Sequence, residues 1–92
     1  MTYLVLRSFV KKFDSHSPKE QGLITLTIEK IKNYLETSHA PYDLRIKKLS
    51  PRIYEGRINI HLRIAYFHEK DIVKFFCLGN HDDIQRCLKN LT

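Results

Sequence analysis

"GRINIHLRIAYFHEKDIVKFFCLGNHDD", residues 56–83, is the stretch that decides how this chain folds. In its first part Arg57, Asn59, His61 and Arg63 share one parity, and Ile58, Ile60, Leu62 and Ile64 share the other. Successive side chains of a strand point to opposite faces, so an unbroken strand puts the four polar residues on one side. If the chain instead turns near Asn59–His61, Arg57 and Arg63 face each other across a hairpin. Both geometries gather guanidinium groups on a polar sheet face. "HEKD" (68–71) separates two β-rich runs and reads as a hairpin turn. The apolar run "DIVKFFCL" ends at Gly79, and a closing helix follows. Asn80 is its N-cap, and Asp83 brings a carboxylate to the positive end of the helix macrodipole. Ile84, Leu88 and Leu91 recur at i, i+4, i+7 with Cys87 beside them, so that face is expected to pack inward.

Working back toward the N-terminus, "TYLVLRSF" alternates β-formers, and residues 2–7 read as a short strand. Phe9, Val10 and Phe13 have helical spacing, with the short helix closed by 14–17. "SPKE" (17–20) is a helix start: Ser17 at the N-cap, Pro18 at the first helical position, Glu20 completing a capping box. Ile24, Ile28, Ile31 and Leu35 then form one stripe of a long amphipathic helix that ends before Pro41. "YDLRIKKL" (42–49) suits a strand, and "SPR" (50–52) a turn.

A block of helices followed by a block of strands argues for an α+β fold. The expectation is one domain over 1–92: an N-terminal strand and two helices packed on one face of a mostly antiparallel, three- to four-stranded twisted sheet, with a short C-terminal helix. Ninety-two residues support one modest core. No apolar stretch approaches the ~20 residues of a membrane span, and the N-terminus lacks a signal peptide's apolar region, so a cytoplasmic, non-membrane protein is expected. Cys77 and Cys87 form no zinc-type pattern, and a disulfide between them is not expected in that compartment.

The net charge is +6. Between Arg45 and Arg63 stand Arg45, Lys47, Lys48, Arg52, Arg57 and Arg63 against one acid, Glu55. Such an excess favours a polyanion or an acidic protein as partner. Arg57 and Arg63 can clamp phosphate, because guanidinium is permanently charged and its fork matches phosphate oxygens; an ordinary solvated face is the plainer reading. "NHDD" allows three readings. A helix start uses Asn80 and one aspartate but leaves His81 over. A metal site would draw on His81, Asp82 and His61, with no second histidine cluster to support it. A histidine at a strand-to-helix junction also suits proton transfer near neutral pH.

"IYEGRINIHLRIAYF" followed by a short turn and "DIVKFFCLGNHDDIQRCL" resembles the C-terminal half of RelE/ParE-superfamily toxins. Members often carry an arginine-bearing strand, then an apolar strand ending in a histidine-acid motif and a short helix. The resemblance covers residues 51–91, and before that only the order of elements matches. It implies a RelE-like fold and the toxin of a type II toxin-antitoxin system: a ribosome-dependent, metal-independent mRNA endoribonuclease with no cofactor, cutting mRNA in the ribosomal A site and held by a cognate acidic antitoxin. Carried over by position, Arg57 and Arg63 match the strand residues that stabilise phosphate. His81 matches the acid/base histidine of the YafQ-like branch. Asp82 and Asp83 fall at helix-capping or histidine-orienting positions. Lys47, Lys48, Arg52 and His61 are the candidates for RNA binding. The chain departs from the pattern at Gln85, which stands where an aromatic residue is usual. ParE-like relatives poison DNA gyrase without ribonuclease residues, so the alternative is a non-catalytic basic binding module of the same fold.

Overall fold

In the computed structural model, which describes residues 1–91, the chain runs β1 (Thr2–Val5), α1 (Arg7–Asp14), α2 (Pro18–Thr37), a 3-10 turn (Tyr42–Leu44), β2 (Lys47–Ser50), β3 (Ile53–Arg57), β4 (Arg63–Glu69), β5 (Ile72–Gly79) and α3 (His81–Lys89). The class is α+β, as the order of blocks implies. The sheet, however, has five strands rather than three or four, in the order β1-β5-β4-β3-β2. β1 is part of the sheet and not packed on it. It pairs parallel with β5 while the other three pairings are antiparallel. Alternation in "TYLV" alone cannot say which strand it will join; its partner is the last strand of the block, with Thr2 opposite Ile72.

The helix starts follow local chemistry. Ser17 and Glu20 form a reciprocal capping box, with Pro18 in the first turn. Ile24 and Ile31 of the α2 stripe are fully buried, and Ile28 and Leu35 pack around them. They cover the sheet face carrying Ile64, Tyr66, Val73, Phe75 and Leu78, joined by Phe9 of α1. Gly56 allows the close approach: a Cβ there would lie 3.0 Å from Ile31 Cδ1. Residues 42–44 form the 3-10 turn in place of the expected strand, because Leu44 turns inward to the core.

α3 packs on the opposite face, against expectation of helices on one side only. Its Ile84 contacts Ala65 and Cys77, which have the other parity from Ile64 and Leu78. Leu91 lies beyond the helix and is exposed, so the inward stripe stops at Leu88. Cys77 of β5 and Cys87 of α3 are joined in a disulfide, correcting the expectation of unpaired thiols. The two sequences between which it forms pack face to face, with Cα atoms 6.4 Å apart. No described helix is long and apolar enough to cross a membrane.

Candidate functional site

The chain turns between β3 and β4, and this turn builds the site. Asn59 makes it: its side-chain oxygen accepts hydrogen bonds from the backbone N–H groups of His61 (2.8 Å) and Leu62 (2.9 Å). The Ile58 N–H donates to the Leu62 carbonyl across the loop at 2.9 Å. Residues 58–62 therefore leave the ladder, and Arg57 and Arg63 become direct cross-strand partners. Of the two geometries open to the alternating sequence, the hairpin is the one adopted. Opposite residues of a ladder share a face, so both guanidinium groups stand on the α3 side.

Glu55 is on the same face, one pair along. It is 6% exposed, and its carboxylate accepts from Arg63 Nη1 at 3.2 Å. Lys47 pairs opposite Glu55 from β2. A concavity of about 570 Å³ opens here, lined by Arg45, Lys47, Glu55, Arg57, Arg63 and His81. Four permanent or near-permanent cations thus surround one buried carboxylate. An anion entering the hollow meets a positive field that a low-dielectric floor screens poorly.

His81 reaches this rim because α3 starts directly after β5, whose Gly79 pairs with Arg63. The helix start is over-determined. Asn80 accepts from the Asp83 N–H at 2.9 Å, and the Asp83 carboxylate accepts from the Asn80 N–H at 3.0 Å. Gly79 permits it, since a Cβ at that position would come within 2.5 Å of Asp83 Cβ. Asp83 is accordingly a capping residue, with Arg86 3.6 Å away on its other oxygen. It does not orient His81. Asp82 is exposed in the first turn, and His81 has no hydrogen bond or ion pair with another described residue. Gln85 is exposed on the same helix.

The expected RNA-binding residues divide. Lys47 lines the concavity. Lys48 pairs with Tyr54 and so points to the α2 face. Arg52 lies at the far end of the sheet, paired with Glu69 at 3.0 Å. His61 sits on the exposed loop, in a neighbouring hollow with Lys12 and His16. Among the described residues no group of three or more His, Cys, Asp or Glu side chains is placed to hold a metal ion.

Two lining residues escape a reading of the sequence. Arg45 enters through a left-handed backbone (φ 45°) after the 3-10 turn, with its guanidinium over the Tyr42 ring at 5.1 Å. Glu55 reads as the one acid in a basic run; only strand parity, once the hairpin is known, puts it under Arg63. A separate and more apolar hollow of about 410 Å³ lies between α1 and α3, lined by Leu6, Phe76, Leu78, Cys87 and Leu91 among others.

Comparisons of this chain with protein families, with curated proteins and with solved structures found no match.

Proposed function

We propose that the concavity binds a phosphodiester of single-stranded RNA and that the protein is an endoribonuclease toxin of the RelE/ParE kind, acting on mRNA in the ribosomal A site. The observation that carries this reading is the gathering of Arg57, Arg63, Lys47, Arg45 and His81 around one hollow. Cleavage by attack of a ribose 2′-oxygen on the adjacent phosphorus needs positive charge for the pentacoordinate centre, and Arg57 and Arg63 are placed to supply it. It also needs a proton taken from the 2′-OH as the O2′–P bond forms and one given to the 5′-oxygen as the P–O5′ bond breaks, with water making whichever transfer the protein does not. His81, at the exposed rim, is the group suited to either transfer. The same basic face suits an acidic antitoxin as the partner that blocks it, and such a pair belongs in the cytoplasm.

The test is to incubate the purified protein with translating ribosomes and map mRNA 5′ ends. New ends that disappear in His81→Ala and Arg57→Ala variants support the assignment. Cleavage by His81→Ala at the wild-type rate removes His81 from the mechanism.

A second reading, a non-catalytic module of the same fold such as a gyrase poison, is favoured by one observation. Among the described residues none gives His81 an orienting hydrogen bond, and Gln85 on the next turn offers no aromatic ring. Its signature on induction is growth arrest with intact transcripts and damaged DNA.

A further inference from the structure

A second hollow, of about 250 Å³, lies at the opposite end of the sheet on the α2 face, lined by Tyr34, Leu35, Ser38, Tyr54, Tyr66 and His68. Its walls are rings. Tyr54 stacks on Tyr66 with centroids 5.7 Å apart and interplanar angle 22°, and His68 tilts against Tyr54 at 6.3 Å. Neither lysine nor arginine lines it. Tyr66 is 1% exposed and its ring forms the floor of the hollow, while its hydroxyl is not a sealed orphan: among the described residues the buried side-chain oxygen without a hydrogen-bond partner is that of Tyr3. The Tyr66 phenol is also pushed up in pKa, by burial first and then by the neighbouring Tyr34 and Tyr54, so it stays a proton donor.

Aromatic walls, neutral donors and no fixed cation suit a flat ring with acceptors on its edge better than they suit a phosphate. Base stacking on aromatic side chains needs little sequence information and contributes strongly to single-strand binding. A route joins the hollow to the basic concavity. β2 is an edge strand, with no neighbour on its outer side. Its consecutive exposed residues Lys47 and Lys48 point to opposite faces, Lys47 beside Glu55 at the concavity and Lys48 beside Tyr54 at the tyrosine hollow. A strand crossing this edge meets one ammonium group on each side, where its backbone phosphates pass.

We infer that the hollow formed by Tyr34, Tyr54, Tyr66 and His68 holds a base of the RNA strand whose phosphate occupies the concavity. This rests on the phosphodiester reading given above, and it adds a subsite that the arginines and His81 do not form.

The test uses the intact, disulfide-bonded protein and a short single-stranded oligoribonucleotide with 2′-O-methyl groups, which cannot be cleaved. Ring-proton NMR signals of the three tyrosines and His68 are followed during titration, with a series of oligonucleotides each lacking one base. The expected result is that these signals shift, that removing the base at one position abolishes the shift, and that affinity then falls about tenfold. Tyr54→Leu should weaken the intact oligonucleotide by a similar factor and make it insensitive to that base. Binding that depends on Arg57 but leaves the ring signals unmoved overturns the inference and spares the phosphodiester reading. No oligonucleotide binding at all overturns both. Equal shifts with free adenosine, and none that depend on a base within the strand, assign the hollow to a free nucleoside and also overturn it. Because the base-deletion series uses wild-type protein, the outcome does not depend on how well the Tyr54 variant folds.

Discussion

Arg63 donates a hydrogen bond to the buried carboxylate of Glu55 at 3.2 Å, from a neighbouring strand and in the floor of the basic concavity. The side chains are 20% and 7% exposed, so the pair is shielded from water on most sides. Removing one member of such a pair leaves the other charge poorly solvated. Glu55 also competes with any bound anion for the Arg63 guanidinium.

Glu55→Gln is therefore expected to move stability and binding in opposite directions. Urea unfolding should show a loss of about 2 kcal/mol, from the lost ion pair and the uncompensated cations. Phosphate or oligonucleotide affinity should rise, with a steeper salt dependence, because Arg63 is released and one negative charge is gone. Weaker binding by a folded Glu55→Gln protein would show instead that the carboxylate holds Arg63 in its binding position.

At the start of α3, neighbouring residues should separate function from stability. Asn80→Ala removes a side chain that accepts from the Asp83 N–H and is expected to cost about 1 kcal/mol in thermal or urea unfolding. His81→Ala, at an exposed position without a side-chain partner among the described residues, should change stability by less than about 0.5 kcal/mol. RNA cleavage should follow the reverse order, abolished by the His81 substitution and reduced only modestly by the Asn80 one.

Gly79 is constrained by space rather than by backbone angle. A methyl group there would lie 2.5 Å from Asp83 Cβ and 2.8 Å from its Cγ, near the base of a short side chain that cannot swing clear. Gly79→Ala should push α3 off β5 and cost about 2 kcal/mol. Amide hydrogen exchange of α3 should accelerate more than that of β4.

The Cys77–Cys87 bridge ties α3 to β5 across a separation of ten residues. Closing a loop of that size in the unfolded chain stabilises the native state by about 3 kcal/mol in the chain-entropy treatment. Reduction, or Cys87→Ser, should lower the urea midpoint accordingly. Disulfides persist mainly in oxidising compartments. Thiol trapping of the protein in its host cell would show which redox form is present there.

Alkaline pH should destabilise the fold through Tyr66. Its folded-state pKa is raised, by burial and by Tyr34 and Tyr54, above the ordinary tyrosine value of 10.0. Above that ordinary value the unfolded chain releases the phenolic proton while the native state keeps it, so stability falls as pH rises through this window. The slope from one phenol is at most about 1.4 kcal/mol per pH unit. Tyr66→Phe should reduce the steepness of the alkaline limb, and Tyr3, also raised by burial, accounts for part of what remains.

Much of this was readable in the chain because it is local. The capping residues of α2, its isoleucine stripe, the hairpin turn within "HEKD" (only Lys70 and Asp71 turn, since His68 and Glu69 continue β4) and the Asn80 helix start each depend on residues close in sequence. The turn at Lys70 even takes the left-handed backbone (φ 54°) that a tight hairpin requires. Arg57, Arg63 and His81 could be named as candidates for the same reason, each standing at a recognisable place in an alternating or capping pattern. The scatter of Lys48, Arg52 and His61 away from the concavity could not, since a basic run in sequence carries no information about which face or end of a sheet it will reach.

By itself the sequence determined the α+β class, the positions of the two longer helix starts and the presence of an arginine-bearing alternating stretch followed by a histidine at a helix N-terminus, while leaving open whether that stretch runs straight or turns. Short-range spacing and backbone chemistry are sufficient for those. Tertiary structure decided the rest. It placed β1 beside β5, put α3 on the face opposite α2, closed the Cys77–Cys87 bridge and set Glu55 beneath Arg63. Each of these joins residues whose pairing depends on strand register and on which sheet face is covered, and a one-residue slip in register would reverse every such assignment.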